Sequence, residues 1–393
     1  MAELEPIGES GPAGGSSSGR GPERRFVGIN RLMLLSFAAM AIGYILAGRL
    51  GWLWRDSSPA TREFETMRTY ARVVVPEAPG SALSPKELAA LAEKDIREIN
   101  DLMGPVGEFS DVRRLNQTPA GIWVEVNPLT WNVVMEALRW HRLSGGAFDP
   151  TIGPIKRLFK FDTSETGDWP TEEELAQARE KSGADKLLFE REGMRLAWKV
   201  DGMLLDLGAI AKGYAADRAA ETLLANGVRN ALIDVGGELR LIGRKPENTP
   251  VPWRAGVRDP RDGDVFETLE LSDAAVATSG DYENYFIYQG RRYFHIIDPR
   301  TGLPLAEGAA GVTVVHPGSC LAADALATTM CVLGPEAGES FIRGQALGLF
   351  SQGVRAIMLL RESGGGLRRK EIVVEKGGKV KIFDDAIAGK DGG

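Results

Sequence analysis

Apolar residues recur along the chain in two registers, one near 3.6 residues and one of 2, and the switches between them divide it into helices and strands. Helical spacing is clearest after Ser84, where Leu88, Leu91, Ile96, Ile99 and Leu102 form one stripe. Three start signals agree there: Ser84 at the N-cap, Pro85 at the first helical position and Glu87 placed to close a capping box. The run "PLTWNVVMEALRWHRLSGG" predicts a second helix stopped by paired glycines, and Thr171 with Glu174 caps a third that ends near Gly183. "MRTYARVVV" and "IWVEV" predict strands, and "KLLFEREGMRLAWKV" predicts a hairpin turned at Glu192-Gly193.

The centre of the chain reads as strand, glycine turn at Gly208, Ala-rich helix to Gly227, strand, double glycine, strand. Strands around tight turns follow in "RAGVRDP", "VFETLEL", "AVATSG", "YFIYQGRRYFHIIDP" and "AGVTVVHP". "CLAADALATTMCVLG" predicts a helix of small apolar residues with a stop at Gly334, "PEAGESFIRGQALG" another helix, and "AIMLLRE" with "KEIVVEK" a closing hairpin. Helices interspersed with a largely antiparallel sheet predict one mixed α/β (α+β) unit.

The first residues follow a different pattern. Residues 1–31 are Gly-, Ser- and Pro-rich, carry Arg24, Arg25 and Arg31, and are expected to be a disordered basic cytoplasmic tail. Residues 32–54 hold the uncharged run "LMLLSFAAMAIGYILAG" and then Trp52 and Trp54, the layout of a signal peptide or transmembrane signal anchor. The basic flank predicts that everything after about Arg55 is exported, giving a membrane-anchored protein with its folded domain on the periplasmic or extracytoplasmic side. "ILAG" has the start of a lipoprotein cleavage site, but Arg49 stands where the acylated cysteine belongs, which argues against lipid anchoring. Residues 55–65 then read as a linker, 66–385 as the folded domain and 386–393 as a disordered tail.

Composition narrows the chemistry. The 393 residues carry a net charge of -7, which excludes a general nucleic-acid binder. Only three histidines (His141, His295, His316) and two cysteines (Cys320, Cys331) are present, which excludes a Cys/His zinc site and a disulfide framework.

Asp324 and Thr328 put a carboxylate and a hydroxyl one turn apart on one face of an apolar helix. Such hard oxygens suit Mg²⁺ or Ca²⁺, with a backbone carbonyl, water and substrate phosphate completing the shell. The alternative is a helix carboxylate beside a threonine bonded back to its own backbone. At "DLGAIAKGYAAD", Gly208 opens a helix whose amides can meet a phosphate, with Lys212 one turn in. Asp206 would repel that phosphate unless a cation sat between them, and ordinary strand–helix packing is the other reading. "SGGAFDPTIGP" makes a rigid turn able to hold a planar ring while Asp149 contacts a hydroxyl, or else a structural loop. His295, in "HIIDPRTGLP", is the one histidine inside a polar motif and the candidate base.

Taken together, "GGAFDPTIGP", "DLGAIAKGYAAD", "NALIDVGGELRLIG", "ATSGDY", "HIIDPRTG" and "ADALATT", in this order, resemble the FAD:protein FMN transferase family, the ApbE-like flavin transferases. The resemblance runs from about Met67 to the C-terminal strand. It implies an ApbE-like mixed α/β fold and an enzyme that uses Mg²⁺ to cleave the pyrophosphate of FAD. FMN would pass to a threonine of an acceptor protein and AMP would leave. Acceptors of this family are subunits of membrane redox systems such as the sodium-pumping NADH–quinone oxidoreductase. By matching position, the metal ligands are Asp324, Thr328 and the Ala209 carbonyl, with Asp324 counted among the catalytic residues. FAD contacts fall on Met67, Ala147, Phe148, Asp149, Asp206, Lys212 and Ile297, and His295 is the base for the acceptor hydroxyl. Two positions depart from the pattern: Arg68 stands where a glycine usually follows the methionine, and Val106 where a tyrosine would add an aromatic flavin contact. Competing readings are an Mg²⁺-dependent FAD pyrophosphatase, a non-catalytic exported flavin-binding protein, and a structural exported domain.

Overall fold

Nine strands, each hydrogen-bonded to the next along the chain, form the central sheet of this computed structural model. They are β1 (Ala60–Thr66), β2 (Thr69–Val75), β3 (Ala231–Val235), β4 (Glu238–Ile242), β5 (Ala274–Gly280), β6 (Ala309–His316), β7 (Val354–Arg361), β8 (Leu367–Val374) and β9 (Val380–Ile387). Every neighbouring pair is antiparallel, so the sheet is one long meander interrupted by excursions. The excursion between β2 and β3 carries helices α1 (Pro85–Met103), α2 (Asp111–Gln117), α3 (Pro128–Leu143), α4 (Glu172–Glu180) and α5 (Ala211–Ala225). Helix α6 (Cys320–Gln345) lies between β6 and β7. The structure describes residues 57–159, 161, 169–280, 285–306, 309–362 and 366–387.

Alternation along the strands explains how one sheet is covered on both faces. On β7, Ala356, Met358 and Leu360 join the main core with the helices, while Ile357 and Leu359 join a second core on the opposite face. That second core is closed by a two-stranded hairpin, Trp253–Arg258 with Val265–Leu271, through Trp253, Ala255, Val257 and Leu269. An aromatic cluster of Phe159, Phe161, Trp169, Phe286 and Tyr293 forms a third packed group, with ring centroids 4.8 to 6.3 Å apart.

Most elements stand where the sequence predicts them. Ser84 and Glu87 close their capping box on α1, and Thr171 and Glu174 do the same on α4. Gly334, at φ 74°, breaks α6 immediately before Pro335, so two helical stretches abut at a kink. Three expectations are corrected. The 55–65 stretch is no linker beyond its first residues, because Ala60–Thr66 pairs in full register with β2 as an edge strand. "IWVEV" forms only a two-residue strand at Val124–Glu125. Residues 203–207 belong to no strand or sheet, and the Asn116 side-chain amide takes both Leu205 backbone groups, at 2.7 and 3.0 Å. The expected tail 1–31, membrane segment 32–54 and residues 388–393 lie outside the described residues, whereas Ala386 and Ile387 belong to β9. Among the described residues, no helix is long and apolar enough to cross a membrane.

Helices α5 and α6 cross at Gly213. A Cβ there would stand 2.4 Å from the Cys320 carbonyl oxygen and 2.8 Å from the Leu321 nitrogen, so only glycine admits this approach. The crossing is locked by charge. Asp217 of α5 accepts from the amides of Cys320 and Leu321 at 2.8 and 3.0 Å, and from Ser319 Oγ at 3.0 Å. It thereby caps the first turn of α6, where an anion is favoured. His316 Nδ1 accepts from the Gly318 and Ser319 amides just before that turn. Burial, aided by the Arg240 guanidinium, lowers the His316 pKa from its usual 6.5 to about 4.

Two predictions follow from this crossing. Gly213→Ala is expected to destabilise the fold by about 1–3 kcal/mol, read as a lower urea midpoint, because backbone rather than a side chain must yield. For His316, the unfolded chain takes up a proton below pH 6.5 that the folded chain refuses until about pH 4. Stability therefore drops as pH falls through that window, and His316→Asn is expected to remove this component, measured by urea unfolding at pH 7.5 and 4.5.

Candidate functional site

One cavity, of about 640 Å³, gathers residues from eight separated stretches of the chain, Arg258 of the 253–271 hairpin among them. The β1–β2 turn supplies Met67, Arg68 and Thr69, and the loop after α3 supplies Ala147, Phe148, Asp149, Ile152 and Lys156. The approach to α5 gives Asp206, Gly208, Ala209 and Lys212; the β3–β4 turn gives Gly236 and Glu238. Thr278 and Ser279 end β5, His295, Ile296, Ile297 and Pro299 follow the 285–294 hairpin, and α6 presents Asp324 and Thr328. All eleven residues singled out by sequence therefore border one space. Val106, which stands where the family pattern has a tyrosine, is 82% exposed and outside the lining.

Asp324 is 3% exposed, and its Oδ2 accepts from the Gly213 amide at 3.1 Å. Gly213 is the third residue of α5, whose first amides have no acceptor within the helix, so the Asp324 carboxylate satisfies one of them. Thr328 Oγ1 shares a hydrogen bond with Ser279 Oγ at 3.1 Å, rather than turning to its own backbone. One carboxylate, one hydroxyl and one backbone carbonyl are the hard oxygen donors a magnesium ion takes. Asp324 satisfies the start of α5 and borders the cavity, and the alternative of a threonine bonded back to its own backbone is not what Thr328 does.

The start of α5 is not an open anion site. The amides of Ile210 and Ala211 donate to Leu207 O at 3.1 and 2.9 Å, and that of Gly213 is held by Asp324. An anion in the cavity is met by side chains instead. Their charges are already paired: Lys212 Nζ lies 2.5 Å from Glu238, which is 2% exposed, and Lys156 Nζ lies 2.8 Å from Asp206. Asp206 also accepts from the Gly208 amide at 2.8 Å. Burial opposes its ionisation most, but the Lys156 ammonium, the Gly208 amide and the positive field of His295 together hold its carboxyl below the usual range.

Asp149 works mainly within its own loop. Its Oδ1 accepts from the Thr151 amide and hydroxyl at 2.7 and 2.6 Å, and its Oδ2 from the Ala184 amide at 3.3 Å. The expected contact from Asp149 to a substrate hydroxyl competes with these bonds, so its weight falls on shaping the loop that presents Ala147 and Phe148. Phe148, Ile152, Phe161, Ile296 and Ile297 give the cavity an apolar side suited to a planar ring.

Sequence reasoning missed Lys156, Glu238, Thr278, Ser279 and Arg258 as lining residues. Ser279 had a signal, two adjacent hydroxyls at a strand end ahead of a glycine; Glu238 follows a double-glycine turn, which brings a strand start to the sheet rim. Lys156 had none, since its pairing with Asp206 spans 50 residues. Residues 281–284 of "ATSGDYENYF" lie outside the described residues.

The family model for the ApbE family matches residues 67–350. An "FAD:protein FMN transferase" of Vibrio cholerae is 38% identical over 276 residues, covering 70% of this chain and 81% of that protein. The solved flavin transferase ApbE from Vibrio cholerae superposes with a TM-score of 0.69 at 32% identity, over 81% of this chain and 98% of that one. The apo flavinyl transferase ApbE of Pseudomonas stutzeri gives 0.68 at 30% identity, over 84% and 95%. The mixed α/β fold with its large antiparallel sheet is therefore the fold of these structures.

Lys156→Met tests the electrostatics directly. Because the folded pKa of Asp206 lies below its unfolded value, this carboxylate adds stability above about pH 4 that fades as pH falls through the folded value. The variant is expected to be less stable than the parent at pH 7, with the gap closing below pH 4, as read from denaturant midpoints.

Proposed function

The chain belongs to the ApbE family and is an enzyme of the FAD:protein FMN transferase kind, and from that premise we propose that it moves FMN from FAD to a threonine hydroxyl of an acceptor protein, with Mg²⁺ at the diphosphate and AMP as leaving group. One observation supports this reading most: Asp324, Thr328 and Ala209 bring hard oxygens to the lining of a cavity whose two lysines are already paired with carboxylates. A dianionic diphosphate entering such a space calls for added positive charge. The donor set fits Mg²⁺, since a carboxylate has about four acceptor positions and the Gly213 amide takes one. When bound, Mg²⁺ supplies neutralising charge at phosphate oxygens.

The chain's own residues account for the rest. A threonine oxygen bonds to the FMN phosphorus as the bond to the bridging oxygen breaks, and that oxygen departs with AMP. His295 takes the hydroxyl proton, and the nearby negative charge of Asp206 accompanies the imidazolium that forms. Lys212, held by Glu238, keeps an ammonium beside the diphosphate. The apolar wall from Phe148 to Phe161 takes the ring and keeps water away from it. In the same reading, residues 32–54 hold the domain to the membrane on its exported side, where the acceptor is a subunit of a membrane redox complex.

The test mixes the protein with FAD, Mg²⁺ and an acceptor domain, then reads covalent flavin fluorescence on a denaturing gel. Labelling is expected to vanish with EDTA and to fall at least ~100-fold in Asp324→Asn. That variant keeps an oxygen for the Gly213 amide, so its melting temperature separates loss of metal from loss of fold. Labelling that persists in Asp324→Asn removes the metal assignment, and FMN released without labelled acceptor points to hydrolysis. His295→Asn is expected to slow transfer ~100-fold at neutral pH; an unchanged rate removes it as the base.

A further inference from the structure

Helix α6 carries two threonines in succession that behave differently. Thr329, fully buried, donates to the Ala325 carbonyl of the preceding turn at 2.7 Å, as a helical threonine ordinarily does. Thr328, half-buried, passes over the corresponding carbonyl of Asp324 and meets Ser279 Oγ at 3.1 Å instead. Among the described residues this is the only hydrogen bond that either of those two hydroxyls makes. Both side chains border the cavity.

Ser279 is fastened from two directions. It pairs with Val312 of β6 in the sheet register, and its carbonyl accepts from Cys331 Sγ at 3.5 Å, one turn beyond Thr328 on α6. The residue before it is tied as well, with Thr278 Oγ1 and Thr313 Oγ1 2.9 Å apart across β5 and β6. The end of β5 is thus fixed to both α6 and β6, and the Ser279 hydroxyl is a stationary partner for Thr328.

Counting protons gives this pair a direction. Each hydroxyl has one proton and two lone pairs, and one proton fills the bond between them. If Ser279 donated, Thr328 would keep its own proton and have a single lone pair left. If Thr328 donates, both of its remaining lone pairs are open to a cation. A divalent ion repels a hydroxyl proton aimed at it, so it selects the second arrangement.

We infer that Ser279 is a positioning residue for the metal: by accepting the Thr328 proton, it keeps the Thr328 oxygen turned to the divalent ion. This inference rests on the transferase reading above, in which Thr328 is a ligand. Without Ser279, the Thr328 hydroxyl would turn to the Asp324 carbonyl, as Thr329 turns to that of Ala325, and its oxygen would leave the site.

The experiment titrates Mn²⁺, a spectroscopic stand-in for Mg²⁺, onto the full chain and counts unbound ion by electron paramagnetic resonance. Parent, Ser279→Ala, Ser279→Thr, Thr328→Ala and the double variant are compared, each with its melting temperature in EDTA. Ser279→Ala is expected to raise the Mn²⁺ Kd about tenfold while its metal-free melting temperature stays near the parent's. Ser279→Thr keeps the hydroxyl and is expected to restore binding. In the Thr328→Ala background, Ser279→Ala is expected to change the Kd no further, because its effect passes through Thr328. An unchanged Kd in Ser279→Ala overturns the inference. So does a second full loss in the double variant, which would mean that Ser279 acts on the ion by itself. Ser279→Thr binding as weakly as Ser279→Ala overturns it too, since the hydroxyl would then not be what matters. A parent that takes up no Mn²⁺ overturns the metal assignment in the transferase reading, and this inference with it.

Discussion

The contact on which the site depends is the one between two helices at Gly213. The missing side chain lets α5 approach the first turn of α6 to backbone contact, and Asp324 then reaches across to the Gly213 amide. That bond fixes three things together. It holds the Asp324 carboxylate at the start of α5, it satisfies one of the first-turn amides of that helix, and it ties α6 to the stretch that brings Ala209 and Lys212 to the cavity. Asp217 and Ser319 hold the same junction from its other side, so the crossing angle is set by hydrogen bonds as well as by packing.

Charge is distributed with the same economy. Burying an ion alone costs several kcal/mol, and the buried carboxylates here are each answered locally. Glu238 has Lys212, Asp217 has Arg240 with two amides, and Asp149 has Thr151. The result is a polar cavity that is close to neutral before any ligand arrives. Neutrality of this sort makes the site selective for a ligand that brings its own countercharge, or that meets a cation already in place.

Helix boundaries were legible because their causes are local. The capping boxes at Ser84 and Thr171 and the break at Gly334 each depend on residues within four positions. The residues of the site were legible as a set, since their motifs resemble one family in order, and the cavity collects every one of them. Failures came where a distant group overrides the local pattern. Residues 203–207 have strand composition, yet the Asn116 amide takes the backbone groups that a ladder would need. Ala60–Thr66 looked like a polar connector because an edge strand with one solvated face carries charged residues. The pairing of Lys156 with Asp206, and the use of the α5 amides by Leu207 and Asp324, have no local signature.

The walls of the cavity come from residue 67 at one end of the sequence to residue 328 at the other. No short fragment contains the pocket, and β2 is joined to the rest of the sheet through β3. A dinucleotide can therefore be held only by a chain whose meander is already assembled through β5 and whose α6 has docked. Any such ligand must favour the assembled chain over every partly assembled one by the full free energy of its binding. Substrate met during assembly would therefore act as a latch on the finished fold as well as a reactant.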